Sequence, residues 1–111
     1  MKRLIVLINI MLIVESIIAQ TNTAELLSKK IAQRMKDSLQ LSNSQQQHIY
    51  TINMQIHQLK AGVWAQYSNT DSITRGIQGI EGKRDSLYRA VLTEMQFSQY
   101  RLKKRYIVNS N

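Results

Sequence analysis

The residues predict an all-α protein: an antiparallel hairpin of two long helices flanked by shorter N- and C-terminal helices. Three observations carry this. Proline is absent from all 111 residues. Residues that favour helices (Gln, Leu, Lys, Arg, Met and Ile) are frequent, and no alternating run of any length competes as a strand. Apolar residues instead recur in two stripes at steps of three and four, the spacing that lines one side of a helix.

The N-terminus reads separately. Lys2 and Arg3 precede an apolar run from Leu4 to Val14, broken only by Asn9, and a polar-to-small exit follows. This is the layout of a cleavable export signal. The run is shorter than the roughly 20 apolar residues a spanning helix needs, and Glu15 would sit at a costly depth if it were extended. Cleavage after Ala19, leaving Gln20 as the new N-terminus, is therefore expected, with an uncleaved anchor as the alternative. The division is 1–19 as signal peptide and 20–111 as a single helical domain, placed by export outside the cytoplasm.

No cysteine is present, so no disulfide supports the fold and helix packing must stabilise it. A chain of this length forms one core of modest stability, and a homodimer would bury more. Net charge is +8, and thirteen bases against six acids remain without the signal. A protein this basic is drawn to anionic lipid, polyanions or acidic unfolded chains. Export argues against nucleic acid.

Along the exported part, Ala24, Leu27, Ile31 and Met35 predict a first helix that stops in the polar stretch after Lys36, with extension to Leu39 as the alternative. Ile49, Ile52, Ile56, Leu59 and Val63 form the first long stripe, and Gln46, Asn53, Gln58 and Lys60 are assigned to the watered side. After the turn-like Ser68 to Asp71, the second stripe comprises Ile73, Ile77, Ile80, Leu87 and Val91. Arg84 takes one apolar place in it and is expected to snorkel at an end or edge, because a buried unpaired charge is costly. Gly76, Gly79 and Gly82 each cost about 1 kcal/mol relative to alanine in a helix interior, which predicts a weak or distorted stretch. The alternative is close approach of another backbone, or a mobile segment that opens for a partner.

Two segments repeat a pattern: Leu41-Ser42-Asn43-Ser44-Gln45 before the first long stripe and Leu92-Thr93-Glu94-Met95-Gln96 after the second. Each reads as a capping box. Ser42 or Thr93 accepts a bond from the backbone N–H three residues on, Gln45 or Gln96 reaches back, and the leucine packs as a staple. Such a motif starts a helix and carries no chemistry of its own.

With these two motifs and the Arg84-Asp85-x-x-Tyr88-Arg89-x-Val91 run before the second, the sequence resembles the periplasmic LTxxQ-motif (Spy/CpxP-like) family over roughly residues 38–106. It departs in having serine in the first motif, and its short form looks like the small Bacteroidetes-type members. The resemblance implies a hairpin-derived fold pairing into a curved dimer whose basic face holds unfolded proteins weakly and without ATP. Candidate surface residues are Lys29, Lys30, Arg34 and Lys36 on the first helix and Arg101, Lys103, Lys104 and Arg105 on the last, interleaved with Phe97, Tyr100 and Tyr106. The alternative for the last cluster is a solvated helix end, where cations suit the macrodipole. Trp64 and Tyr67 read as core packing or a dimer contact before a client site.

No metal, cofactor or nucleotide site is legible. His48 and His57 are nine residues apart and fall on opposite faces of one helix, so they do not chelate together. No catalytic set stands out, and the expectation is a non-enzymatic protein. Three functions stay open: a chaperone-like or envelope-stress binding protein, an accessory regulator binding an envelope sensor, and a peripheral binder of anionic membrane surface.

Overall fold

The computed structural model describes residues 22–109, and the expected cleavage point at Ala19 and Gln20 lies outside them. The chain is all-α, with no strand among the described residues. Helix α1 covers residues 22–39, α2 Asn43–Gln66, α3 Thr70–Val91 and α4 Glu94–Lys104; a π-helical turn at Arg105–Asn109 prolongs α4.

Helix α1 runs past Lys36 to residue 39, so its end is the later of the two expected. Gln40 terminates it by turning left-handed at φ 56°. The Leu41 N–H then donates to the Lys36 carbonyl at 3.2 Å, closing a loop five residues back and satisfying one of the helix's last carbonyls. This reversal carries both Leu39 and Leu41 into the core.

Helices α2 and α3 run antiparallel, as their contacts show: Gln45 reaches Val91, Asn53 reaches Tyr88, Lys60 reaches Glu81, and Val63 lies against Gly76. The core lies in the half of this pair remote from its loop. Ile31, Ala32 and Met35 of α1 meet Ile49, Ile52 and Ile56 of α2, Ile80 and Tyr88 of α3, Tyr100 of α4, and Ile107. Towards the loop, no residue of α2 after Ile56 and none of α3 before Ile80 is fully buried. The molecule is accordingly elongated, 63 × 34 × 22 Å, with a two-helix tip projecting from a four-helix base.

Three expectations are corrected and a fourth is narrowed. Asn53 faces the core, at 1 % exposure, instead of water. Arg84 is not at an end or edge: it is 3 % exposed within α3, and its guanidinium Nη1 lies 2.9 Å from both Glu81 carboxylate oxygens. A carboxylate one turn away removes the reason to snorkel. The glycine-spaced stretch is uninterrupted helix, with close approach at one of its three positions: a Cβ on Gly76 would lie 2.9 Å from Val63 Cγ1, whereas Gly79 and Gly82 face open space. Trp64, finally, is 64 % exposed and Tyr67 41 %, so neither packs in the core of one chain.

Candidate functional site

The two capping boxes form as the residues imply. Ser42 Oγ accepts from Gln45 N and Gln45 Oε1 from Ser42 N, at 3.1 and 3.0 Å; Thr93 and Gln96 repeat both bonds at the same distances. The fold then brings the boxes together. Gln45 Nε2 donates to Gln96 Oε1 at 2.8 Å and Gln96 Nε2 returns to Gln45 Oε1 at 3.3 Å. The same nitrogens donate to the carbonyls of Val91 and Leu39 at 3.1 and 3.5 Å. Each glutamine thus starts its own helix, satisfies a C-terminal carbonyl of the helix preceding the other motif, and pairs with its counterpart. Leu41 and Leu92 are buried beneath. The joint is structural and holds all four helices in one register.

Beside it lies a second polar junction. Glu81 takes Lys60 at 2.6 Å, Arg84 at 2.9 Å and Lys104 at 4.0 Å; Asp85 takes Lys104 at 2.9 Å and the Tyr100 hydroxyl at 2.8 Å. Three cations and two carboxylates therefore tie α2, α3 and α4. Burial drives the Tyr88 and Tyr100 phenols above their ordinary range; Asp85 adds to the shift at Tyr100 through its hydrogen bond and charge. The Tyr88 hydroxyl donates to Asn53 Oδ1, and Asn53 Nδ2 donates to the Ser28 carbonyl at 3.0 Å, linking α1, α2 and α3. Half-buried His57 is pushed below its ordinary value by loss of water and by the charges of Lys60 and Arg84.

The candidate binding residues divide. Tyr100 is wholly buried, edge-on to Tyr88 at 5.1 Å, so its place on the binding surface is withdrawn; it lies one turn from both Phe97 and Lys104, on the side of α4 that packs inward. Lys104 is tied to Asp85, and Phe97 is half-buried with the Arg89 guanidinium 5.2 Å from its ring centre. Lys29, Arg101 and Arg105 are exposed. The two basic clusters, distant in sequence, meet at the α1–α4 seam: Arg34 donates to the Ile107 carbonyl at 3.4 Å and Lys103 to the Ser38 carbonyl at 3.2 Å. Lys36 bonds Asn43 Oδ1 at 2.6 Å.

On the other side of α1, Leu26, Lys29, Lys30, Gln46, Gln47 and Tyr50 line an open groove of about 680 Å³ against α2. It combines a 68 % exposed leucine, an aromatic ring and two cations. Sequence reasoning missed Leu26 and Tyr50 here, although Leu26 falls one turn before Lys30 and Tyr50 one turn after Gln46. It also missed Glu81 and Asp85, whose i, i+4 spacing signals one helix face. Among the described residues no three acidic, His or Cys side chains are grouped to hold a metal ion, and no helix is long and apolar enough to cross a membrane. No family model, no curated protein and no solved structure matches this chain.

Proposed function

We propose that this chain is an exported, periplasmic binding protein of the LTxxQ type that holds unfolded or partly folded envelope proteins without ATP, working as a homodimer. The observation that carries the reading is the α1–α2 groove. Leu26 and Tyr50 offer apolar contact to an unstructured segment, and Lys29 and Lys30 at its rim attract acidic ones. Open and wet, it suits weak, sequence-tolerant capture more than selection of one small ligand. The paired motifs support the likeness to the family, since a glutamine that both caps its own helix and bonds its counterpart gives the Leu-Ser/Thr-x-x-Gln pattern a purpose beyond chance. The exposed Trp64 and Tyr67 are what favours pairing of two chains, through the hairpin tip.

The test is suppression of aggregation of a chemically denatured acidic client. Near-stoichiometric protein is expected to slow light scattering at low salt and to lose effect as added salt shortens the range of its field to about 10 Å near 0.1 M. Lys29→Gln with Lys30→Gln should weaken protection, and Leu26→Ser should weaken it without changing the salt dependence. No protection by excess protein at low salt contradicts the proposal. For compartment, protein recovered from cells should begin near Gln20 and fractionate with periplasmic contents; a chain beginning at Met1 contradicts export with cleavage. Sedimentation should give twice the chain mass, and Trp64→Ser should lower it.

A further inference from the structure

Helix α4 has two apolar faces, and only one is used by the fold. Phe97, Tyr100 and Ile107 turn inward, whereas Met95, Leu102 and Tyr106 project at 77 %, 81 % and 59 % exposure, more than any other large apolar side chain except Leu26 and Trp64. Met95 and Leu102 are seven residues apart, within about 20° of each other around the helix, and Tyr106 continues the line one turn on. Arg101 and Arg105, themselves one turn apart, run along one side of this ridge and Lys103 along the other. Arg101 and Arg105 are exposed and form no ion pair among the described residues. Residues 95–111 contain four bases and no acid.

We propose that the outer ridge of α4 docks on a bilayer surface that contains anionic phospholipid. Single exposed apolar side chains need no explanation, but a continuous line of three on a helix whose charges, Glu94 in its first turn apart, are all cationic does. The ridge is convex. A protein partner would have to supply a groove for it, whereas the head-group boundary of a bilayer admits a helix edge-on, with leucine and methionine entering the acyl region and tyrosine staying at the interface. The flanking arginines and lysine then reach back to phosphate. The contact is peripheral, since no described helix is long and apolar enough to cross. It is independent of client capture, because the groove of α1 and α2 uses none of these residues.

The chain has no cysteine, so Leu102→Cys carries a polarity-sensitive fluorophore as its single label, with Lys83→Cys on the exposed side of α3 as the control. Vesicles of phosphatidylcholine mixed with phosphatidylglycerol should shift the Leu102 label to the blue and leave the Lys83 label unchanged. Phosphatidylcholine alone should do neither. Arg101→Gln with Arg105→Gln in the labelled chain should weaken vesicle affinity about tenfold or more, given the attraction of each base near an anionic surface. In the unlabelled chain Met95→Ser should reduce co-sedimentation several-fold, the helix content by circular dichroism staying constant. The proposal is overturned if the Leu102 label stays in water while the chain sediments with vesicles, or if neutral vesicles shift it equally. It is also overturned if neither vesicle binds the chain, or if a denatured protein produces the shift and lipid does not.

Discussion

At its base the α2–α3 hairpin meets α1 and α4, burying Ile49, Ile52 and Ile56 against Ile80 and Tyr88, while towards its tip Leu59 and Val63 are only partly buried, Val63 lies against Gly76, and Trp64 is 64 % exposed. The two ends share a helix period and similar apolar residues. What separates them is the number of helices available to cover the stripe, and with it the polar bonds that fix the base: Asn53 to Ser28 and Tyr88, Gln45 to Gln96, Glu81 to Lys60, Arg84 and Lys104. A regular stripe makes a helix in both places; only the base turns it into a core. Stability should therefore be concentrated there, and substitutions of comparable size should have unequal effects at the two ends.

The largest single-residue effect is expected at Asn53. Replacing it with alanine leaves the buried Tyr88 hydroxyl without its partner and removes the side-chain bond to the Ser28 carbonyl and the packing of the amide, at a cost of about 3 kcal/mol read from urea unfolding. The tyrosines themselves make the base sensitive to alkali. Because burial holds both phenols above 10.0, the unfolded chain loses protons first as pH rises past 10.0, so stability present below that pH falls above it. Tyr88→Phe should flatten the decline in Tm. His57 works in the opposite direction with a smaller effect: its native value lies below 6.5, the unfolded chain takes up the proton first, and stability present above 6.5 declines as pH falls through that value and below.

Towards the tip the glycines separate helix propensity from packing. Gly79→Ala, facing open space, should raise stability by about 1 kcal/mol. Gly76→Ala should gain nothing, because its new methyl would meet Val63 Cγ1 at 2.9 Å and a valine in a helix has one favoured rotamer to give up. The smallest effect is expected at the end of the hairpin, where Trp64→Ser should change the stability of a single chain by no more than about 0.5 kcal/mol. A loss of several kcal/mol there in dilute protein would mean the tip is covered in a way the single chain does not provide.

What could be read from the sequence follows the distance over which each feature is encoded. The capping boxes are relations between residues three apart, and Ser42, Gln45, Thr93 and Gln96 could be assigned to them without any tertiary contact. The stripes are equally local, yet residue type points the wrong way for two of their polar members. Asn53 is one turn from both Ile49 and Ile56, and Arg84 one turn from both Ile80 and Tyr88, so helical spacing already put both on the buried side. Their hydrophilicity suggests the opposite, and position prevails because each has a polar partner inside. The pairing of Gln45 with Gln96 spans 51 residues, and nothing in either motif announces that an amide capping its own helix has a second amide to meet. Tyr100 stands among bases, which suggests a surface, whereas its place one turn from Phe97 puts it inside; the exposed ridge is its complement, Met95 and Leu102.

The joint between the two motifs can be tested directly by a double-mutant cycle on Gln45→Ala and Gln96→Ala, with unfolding free energies from urea titration. Each single change should cost about 1 kcal/mol or more, since it removes the return bond of a capping box and a carbonyl partner together, while the Ser42 or Thr93 cap remains. If the two capping boxes act as one joint, the double variant should cost less than the sum of the singles, with a coupling of roughly 1 kcal/mol as expected for bonded neighbours. Additivity within about 0.3 kcal/mol would contradict the joint and leave two independent helix caps.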